Sequence, residues 1–209
     1  MGKIGQYGPY IGAAILLLVA VPIMFLGFVL AAAFANIGGG GGSGTTTAVN
    51  AGPITGCDTS SSFFDGLPAP SLGSSQIPQQ FIPFYEQYAA KAGLGSCGAA
   101  ILAATHSIEC GSGGNGSCPD AHDGGVLGPM QFMQATWDGE IADPETKKGC
   151  SATSADILNV EKAICVAAFH DKHNGAPKDW RGALFLYNRA DWYVDGVLAL
   201  AKEIAGGAK

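Results

Sequence analysis

The chain has 209 residues, a formal net charge of −6 and 13% charged residues, which is about half the charged share of a typical soluble domain. This length suits one domain rather than several, and the acidic balance excludes a typical nucleic-acid binder, which needs clustered Lys and Arg. The charge is also unevenly spread, since Lys3 is the only charged residue before Asp58. A uniform soluble globule is therefore excluded.

The first predicted element is an uncharged apolar segment at residues 11–35. About 20 apolar residues in a helix span the hydrocarbon core of a bilayer, and membrane helices tolerate a proline such as Pro22. Lys3 is a weak positive-inside signal, so residues 1–10 are predicted to be cytoplasmic and the rest to lie on the extracellular, cell-wall side of the cell membrane. The alternative is a cleaved signal peptide with its cleavage site at residues 33–35, which would give a secreted protein.

Residues 36–76 have the composition of a flexible linker. They begin with a glycine-rich run at 38–44 and continue with Thr-, Ser- and Pro-rich sequence, which buries too little apolar surface to offset the entropy of ordering. Phe63 and Phe64 interrupt this polarity, and they either dock on the next domain or are incidental. We therefore predict a tether that leads to a C-terminal domain at residues 77–209.

Six cysteines all follow the apolar segment, which indicates an exported, disulfide-bonded domain. Cys110 and Cys118 bracket a short glycine-rich segment that a crosslink would restrain. The predicted pairs are Cys110–Cys118, Cys150–Cys165 and Cys57–Cys97. The alternative is a zinc site at Cys110, Cys118 and His122, but the chain has neither a CxxC pair nor a tight Cys/His quartet. No metal and no cofactor are predicted.

The hydrophobic pattern of residues 77–209 predicts an all-α domain. Helices are predicted at residues 78–91, 98–109, 129–137 and 156–173, with a last helix ending at the glycine pair 206–207. Asp179 and Asp191 have the position and residue type of helix N-caps. A chain of about 130 helical residues is long enough for one hydrophobic core.

Glu109 is the candidate catalytic residue, because it ends an otherwise uncharged predicted helix. It follows Leu102 by seven residues, which places the two side chains within roughly 20° of one another around the helix. A carboxyl group at the end of an apolar stripe is partly desolvated, which raises its pKa and suits a general acid near neutral pH. A solvated glutamate at the end of a surface helix is the alternative on this geometry alone.

Two later segments favour the catalytic interpretation: GVLGPMQFMQATW at 125–137 and LFLYNRADWYV at 184–194. Together with Glu109, and in this order, they resemble the soluble-lytic-transglycosylase-like branch of the lysozyme superfamily, most closely its exported actinobacterial versions. The likeness covers nearly all of residues 77–205. It implies a lysozyme-like helical fold and a peptidoglycan lytic transglycosylase, which cleaves the β-1,4 bond between N-acetylmuramic acid and N-acetylglucosamine.

The resemblance also implies roles for individual residues. Glu109 would be the single catalytic acid, and Tyr187 would contact its carboxyl group. The residues implied to line the cleft or support the substrate are Gly128, Met130, Gln131 and Asn188. This chain has Cys110 where the family usually has a serine after the acid, which puts its catalytic efficiency in question.

Other polar and aromatic residues have two interpretations. Tyr193, Trp137 and Trp192 either stack on sugars or belong to the core, and Tyr193 is kept as a substrate-binding candidate. His170 and His173, three residues apart on a predicted helix, are solvated helix-end residues or, less favoured, metal ligands.

Two alternative functions stay open. A hydrolytic muramidase needs a second carboxylate, for which Asp120 and Asp123 are the candidates. A non-catalytic peptidoglycan-binding subunit of a secretion or conjugation assembly is the other. The predicted partners are peptidoglycan glycan strands, the cytoplasmic membrane and a secretion or conjugation apparatus, the last slightly favoured over wall remodelling or a phage lytic role.

Overall fold

A computed structural model describes residues 54–68, 79–110 and 125–206, all of which belong to one unit at residues 47–209. The described part is 69% helical, which confirms the prediction that it is mostly α-helix. The predicted membrane segment at 11–35 lies outside the described residues. Among the helices that are described, none has the length and apolar character needed to cross a bilayer.

The described elements are seven α-helices, three short 3₁₀ turns and one short hairpin. The helices are α1 (Ile82–Ala92), α2 (Gly98–Cys110), α3 (Gln134–Ala142), α4 (Pro144–Cys150), α5 (Val160–His173), α6 (Trp180–Tyr187) and α7 (Asp191–Gly206). Short 3₁₀ turns lie at Ser62–Phe64, Gln79–Phe81 and Ser154–Leu158. Strands β1 (Val126–Leu127) and β2 (Phe132–Met133) are antiparallel, with Val126 opposite Met133 and Leu127 opposite Phe132.

Helix α2 is the centre of the domain. Its residues 98–107 are all buried, and α1, α5 and α7 pack around it. A helix that is apolar on every side has to lie inside a protein, and the many alanines of α2 let its neighbours approach closely. The last residues of α2, Ile108 to Cys110, are only partly buried. The central helix therefore carries Glu109 from the core to the edge of the domain.

The predicted helix at 98–109 is confirmed, but the one at 156–173 is interrupted. A 3₁₀ turn occupies Ser154–Leu158, and α5 begins only at Val160. Asn159 causes the new start, because its side chain accepts a hydrogen bond from the Lys162 backbone N–H at 3.0 Å and so caps α5. Asp179 caps α6 in the same way, as predicted. Asp191 is the first residue of α7 rather than its cap.

The predicted helix at 129–137 is wrong over its first half, where the chain forms the β1–β2 hairpin. Gly128 and Gln131 have φ angles of 72° and 47°, in the left-handed region that a right-handed helix cannot use. The Gln131 backbone N–H donates to the Gly128 carbonyl at 3.1 Å and closes the turn. Helix α3 therefore starts at Gln134, after the hairpin.

Residues 54–68, which the sequence places in the linker, pack onto the helical domain. Ile54 and Phe64 are 2% and 1% exposed and belong to the hydrophobic core. The predicted Cys57–Cys97 disulfide is present and ties this segment to the residue before α2. The compact domain thus includes a segment upstream of residue 77.

The second predicted disulfide, Cys150–Cys165, is also present and joins the end of α4 to α5. Cys110 is disulfide-bonded as well, which removes it as a zinc ligand. Its predicted partner Cys118 and the zinc candidate His122 lie outside the described residues.

Candidate active site

Glu109 lies in the last turn of α2, half-buried against α7. The Tyr193 hydroxyl of α7 donates a hydrogen bond of 2.6 Å to Glu109 Oε1. These residues are 84 positions apart in the chain, and the packing of α2 against α7 brings them together. The carboxyl group predicted as a candidate acid is therefore held at a defined position at the edge of the core.

The environment of Glu109 shifts its ionisation towards neutral pH. Burial penalises the charged carboxylate and raises the pKa of Glu109 from 4.5 to about 7, while the hydrogen bond from Tyr193 opposes this rise. Near pH 7 the carboxyl group therefore exists in both protonation states. A group of this kind can donate a proton in one step and accept one in the next.

Two stacked tyrosines, Tyr187 and Tyr193, lie next to this carboxyl group. Tyr193 is 1% exposed, and its ring stacks on that of Tyr187 with the centroids 6.2 Å apart and the planes at 16°. Burial and the negative charge of Glu109 raise the pKa of both phenols well above the usual value, so both stay protonated. The residue that hydrogen-bonds to the carboxyl is thus Tyr193, whereas the family resemblance implies Tyr187.

Tyr187 instead joins the hairpin to the helices. Its hydroxyl donates to the Met130 carbonyl at 2.7 Å. The Met130 side chain has no exposed surface, so it supports the turn from the inside, and only its backbone takes part in this contact. The Met130 side chain therefore cannot line a cleft, although the family resemblance implies that role.

The turn itself depends on Gly128 and Gln131. A Cβ atom on Gly128 would lie 2.1 Å from the Ile157 carbonyl oxygen, so only glycine fits there. Gln131 is 9% exposed, and its Nε2 donates to the Gly128 carbonyl at 2.7 Å. Both residues thus shape the hairpin that presents the Met130 carbonyl to Tyr187.

Asn188 lies in the short connection between α6 and α7. Its backbone N–H donates to the Leu184 carbonyl at 3.1 Å, and its own carbonyl accepts from the Ala190 N–H at 2.7 Å. This tight connection keeps Tyr187, at the end of α6, next to Tyr193, in the first turn of α7. The Asn188 side chain is partly exposed.

His170 and His173 both face Glu140, a residue that the sequence patterns did not single out. His170 Nδ1 lies 2.7 Å from Glu140 Oε1, and His173 Nδ1 lies 3.0 Å from Glu140 Oε2. The His170 ring also meets the Tyr187 ring edge-on at 5.3 Å. Over residues 54–68, 79–110 and 125–206, no three His, Cys, Asp or Glu side chains are arranged to hold a metal ion.

Asp171 is a second buried carboxyl group that the sequence did not indicate. It has no exposed surface, and among the described residues neither of its oxygens has a hydrogen-bond partner. Burial raises its pKa to about 7, with a smaller opposing effect of His170. Its negative charge contributes to raising the pKa of Tyr187 and Tyr193. A carboxyl group without exposed surface cannot reach a substrate.

The remaining candidates divide between the core and the surface. Trp137 is fully buried and donates from Nε1 to the Thr153 carbonyl at 3.0 Å, so it is a core residue. Trp192 is 70% exposed. Asp120 and Asp123 lie outside the described residues.

Comparison of the chain with family models, with curated proteins and with solved structures finds no match in any of the three. The sequence motifs and the geometry of Glu109, Tyr187 and Tyr193 are therefore the basis for inferring a function.

Proposed function

We propose that this chain is a peptidoglycan lytic transglycosylase with a lysozyme-like helical fold, tethered outside the cytoplasmic membrane. The observation that carries the proposal is Glu109, a half-buried carboxyl group with a pKa raised to about 7 and a hydrogen bond from Tyr193. The segments at 125–137 and 184–194, which resemble those of the lysozyme superfamily, meet through the bond from Tyr187 to Met130.

In the first step, protonated Glu109 donates its proton to the glycosidic oxygen between N-acetylmuramic acid and N-acetylglucosamine. The bond from the anomeric carbon to this oxygen breaks through an oxocarbenium-like state, and both bonding electrons stay with the leaving oxygen. Because Tyr193 donates to Oε1, Oε2 is the oxygen that carries the proton in this scheme. The raised pKa keeps a large fraction of Glu109 protonated near neutral pH.

In the second step, the Glu109 carboxylate accepts the proton of the muramyl C6 hydroxyl while O6 bonds to the anomeric carbon. The product is a 1,6-anhydro ring, and the acid is regenerated without water. The hydrogen bond from Tyr193 stabilises the carboxylate between the two steps. One carboxyl group therefore performs both proton transfers.

A hydrolytic muramidase is the alternative within the same fold. It needs a second carboxylate that faces the sugar or activates a water. Its candidates Asp120 and Asp123 lie outside the described residues, and Asp171, within them, is fully buried. A non-catalytic peptidoglycan-binding subunit is favoured by one observation: Cys110, in the position of the family's serine, is disulfide-bonded and offers no hydroxyl to orient Glu109.

The proposed location is the wall side of the cell membrane. Disulfides persist in oxidising compartments outside the cytoplasm, and the two bonds Cys57–Cys97 and Cys150–Cys165 fit export of this domain. A tethered enzyme acts near its anchor, so local wall opening for a secretion or conjugation apparatus is the setting that we propose first.

The deciding experiment is mass spectrometry of purified peptidoglycan digested with the full-length protein in mild detergent. We expect products ending in 1,6-anhydromuramic acid, and none from Glu109→Gln. The matched control is Glu86→Gln at an exposed position of α1, which should cleave like wild type.

Reducing ends instead of anhydro ends would replace the transglycosylase with a muramidase. Glycan binding without any cleavage would select the non-catalytic subunit, and full activity in Glu109→Gln would end the assignment of the acid.

A further inference from the structure

The three tryptophans of the chain have very different environments. Trp137 and Trp180 are 0% and 3% exposed and belong to the core, whereas Trp192 is 70% exposed. Leaving so much of a large apolar ring in water forfeits the free energy of burying it. Among the described residues, Trp192 is the most exposed large apolar side chain, and it lies beside the candidate active site.

Trp192 stands directly beside the residue that holds the candidate acid. Its ring centroid is 6.0 Å from that of Tyr193, with the planes at 83°, and the Tyr193 hydroxyl bonds to Glu109. Three distances lead from the indole to the Glu109 carboxyl: from the Trp192 ring to the Tyr193 ring, from that ring to its hydroxyl oxygen, and along the hydrogen bond to Glu109. Their sum places the indole within about 12 Å of the carboxyl group. A short oligosaccharide spans such a distance.

We propose that Trp192 is a stacking platform that binds a pyranose ring of the glycan strand next to the bond cleaved at Glu109. This inference rests on the proposed function and adds a specific binding residue to it. One face of a pyranose carries mainly C–H groups and is apolar, so it can cover the indole face and remove both surfaces from water. The rigidity of the indole keeps the entropic cost of ordering it small.

The charges close to Trp192 cancel one another. Arg189 and Asp191 precede it in the chain, and Asp195, one turn further along α7, pairs with Arg181 at 2.6 Å. Membrane-docking aromatic residues are typically accompanied by Lys and Arg, which anionic headgroups attract. Because Arg189 offsets Asp191 and Arg181 offsets Asp195, these residues offer no surplus of basic charge to anionic headgroups, whereas the uncharged face of a sugar needs none to stack.

The test measures glycan binding in the inactive Glu109→Gln background, so that turnover does not interfere. The probes are the N-acetylglucosamine tetramer and soluble uncrosslinked glycan strands, added to the full-length protein in mild detergent. Because Trp192 is the exposed one of the three tryptophans, we expect a saturable blue shift of the tryptophan emission. Adding Trp192→Ala should abolish the shift and weaken binding, measured by calorimetry, about tenfold. Trp192→Phe keeps a ring and should retain most of the affinity.

Phe185→Ala is the matched control. Phe185 is 39% exposed on α6 and lies about 200° around that helix from Tyr187, so its removal should leave the affinity unchanged. Unaltered binding in Trp192→Ala, or an unchanged emission on saturation, would overturn the platform while cleavage by the wild-type protein still supported the proposed function. If the wild-type protein neither cleaved nor bound glycan, both proposals would fail together.

Discussion

Replacing Glu109 with glutamine should stabilise the folded protein at neutral and alkaline pH while it removes the proposed catalytic acid. The side chains are nearly isosteric, and the amide oxygen can still accept the hydrogen bond from Tyr193. The difference is that glutamine does not ionise. The exchange therefore isolates the free energy of holding a charged carboxyl group in this half-buried place.

The magnitude follows from the pKa of Glu109, which burial raises from 4.5 to about 7. Each pH unit between the unfolded and folded pKa values corresponds to about 1.4 kcal/mol. The folded state holds this proton more tightly than the unfolded state, so the contribution to stability is complete below pH 4.5 and is lost as the pH rises to about 7. Allowing for solvent screening at its exposed edge, we expect Glu109→Gln to be about 2–3 kcal/mol more stable than wild type at pH 8.

The assay is urea unfolding of the full-length protein in mild detergent, followed by circular dichroism at pH 4, 5.5, 7 and 8. The two proteins should have nearly equal free energies of unfolding at pH 4, and the difference should grow between pH 4.5 and 7. In thermal unfolding at pH 8, Glu109→Gln should melt roughly 5–10 °C above wild type. Glu86→Gln, at an exposed position, should follow the wild-type curve throughout.

Two results would refute this reasoning. Equal stability of Glu109→Gln and wild type at pH 8 would mean that the carboxyl group is well solvated in the folded state. A stabilisation that grew towards acid pH would mean that folding favours the carboxylate, so that the Tyr193 hydrogen bond outweighs burial. Either outcome would also remove the physical basis of the general acid.

Three further predictions concern the stability of the domain. Asp171→Asn should raise the free energy of unfolding at pH 8 and change it little at pH 4. The reason is that the pKa of this fully buried carboxyl is raised from 3.8 to about 7, so its contribution to stability is lost over that interval. Urea unfolding at both pH values checks this prediction, and equal stabilisation at both would contradict it. Replacing Cys150 and Cys165 by alanine should reduce stability by about 3 kcal/mol, since the bond closes a loop of 15 residues; thermal unfolding measures this, and an unchanged melting temperature would show that the bond adds nothing. Gly128→Ala should destabilise the hairpin by at least about 2 kcal/mol, because it forces a Cβ atom to within 2.1 Å of the Ile157 carbonyl at a φ of 72°; chemical unfolding measures the loss, and wild-type stability would refute the clash.

The catalytic candidate was accessible from the sequence because its signal is local. Glu109 lies at the end of an otherwise uncharged helix, on the side that carries Leu102, and helical geometry relates these positions over two turns. Its half-burial and raised pKa in the structure agree with that expectation. The partner of its carboxyl group was not accessible in this way, since Tyr187 and Tyr193 are six residues apart and both are aromatic.

The hairpin shows where local pattern fails. Residues 129–137 have the proline and apolar residues of a helix start, but Gln131 takes a left-handed conformation that non-glycine residues rarely adopt. That conformation is supported by the side-chain bond to Gly128 and by the packing of Met130 under the turn. The turn is also held by two distant contacts. Tyr187 of α6 donates to the Met130 carbonyl, and Ile157 of the 3₁₀ turn packs against Gly128. No window of sequence around 131 contains these two residues.

By itself, the sequence determined most of the described helices, the cap at Asp179 and the disulfides Cys57–Cys97 and Cys150–Cys165. Helical periodicity, capping and cysteine chemistry act over short stretches or through a few residue types. The tertiary structure alone decided that Tyr193 holds Glu109, that Asp171 is buried with no hydrogen-bond partner among the described residues, and that the segment carrying Phe64 joins the core. Each of these depends on which surfaces of distant helices meet, and that choice is made by the packing of the whole core rather than by neighbours in the chain.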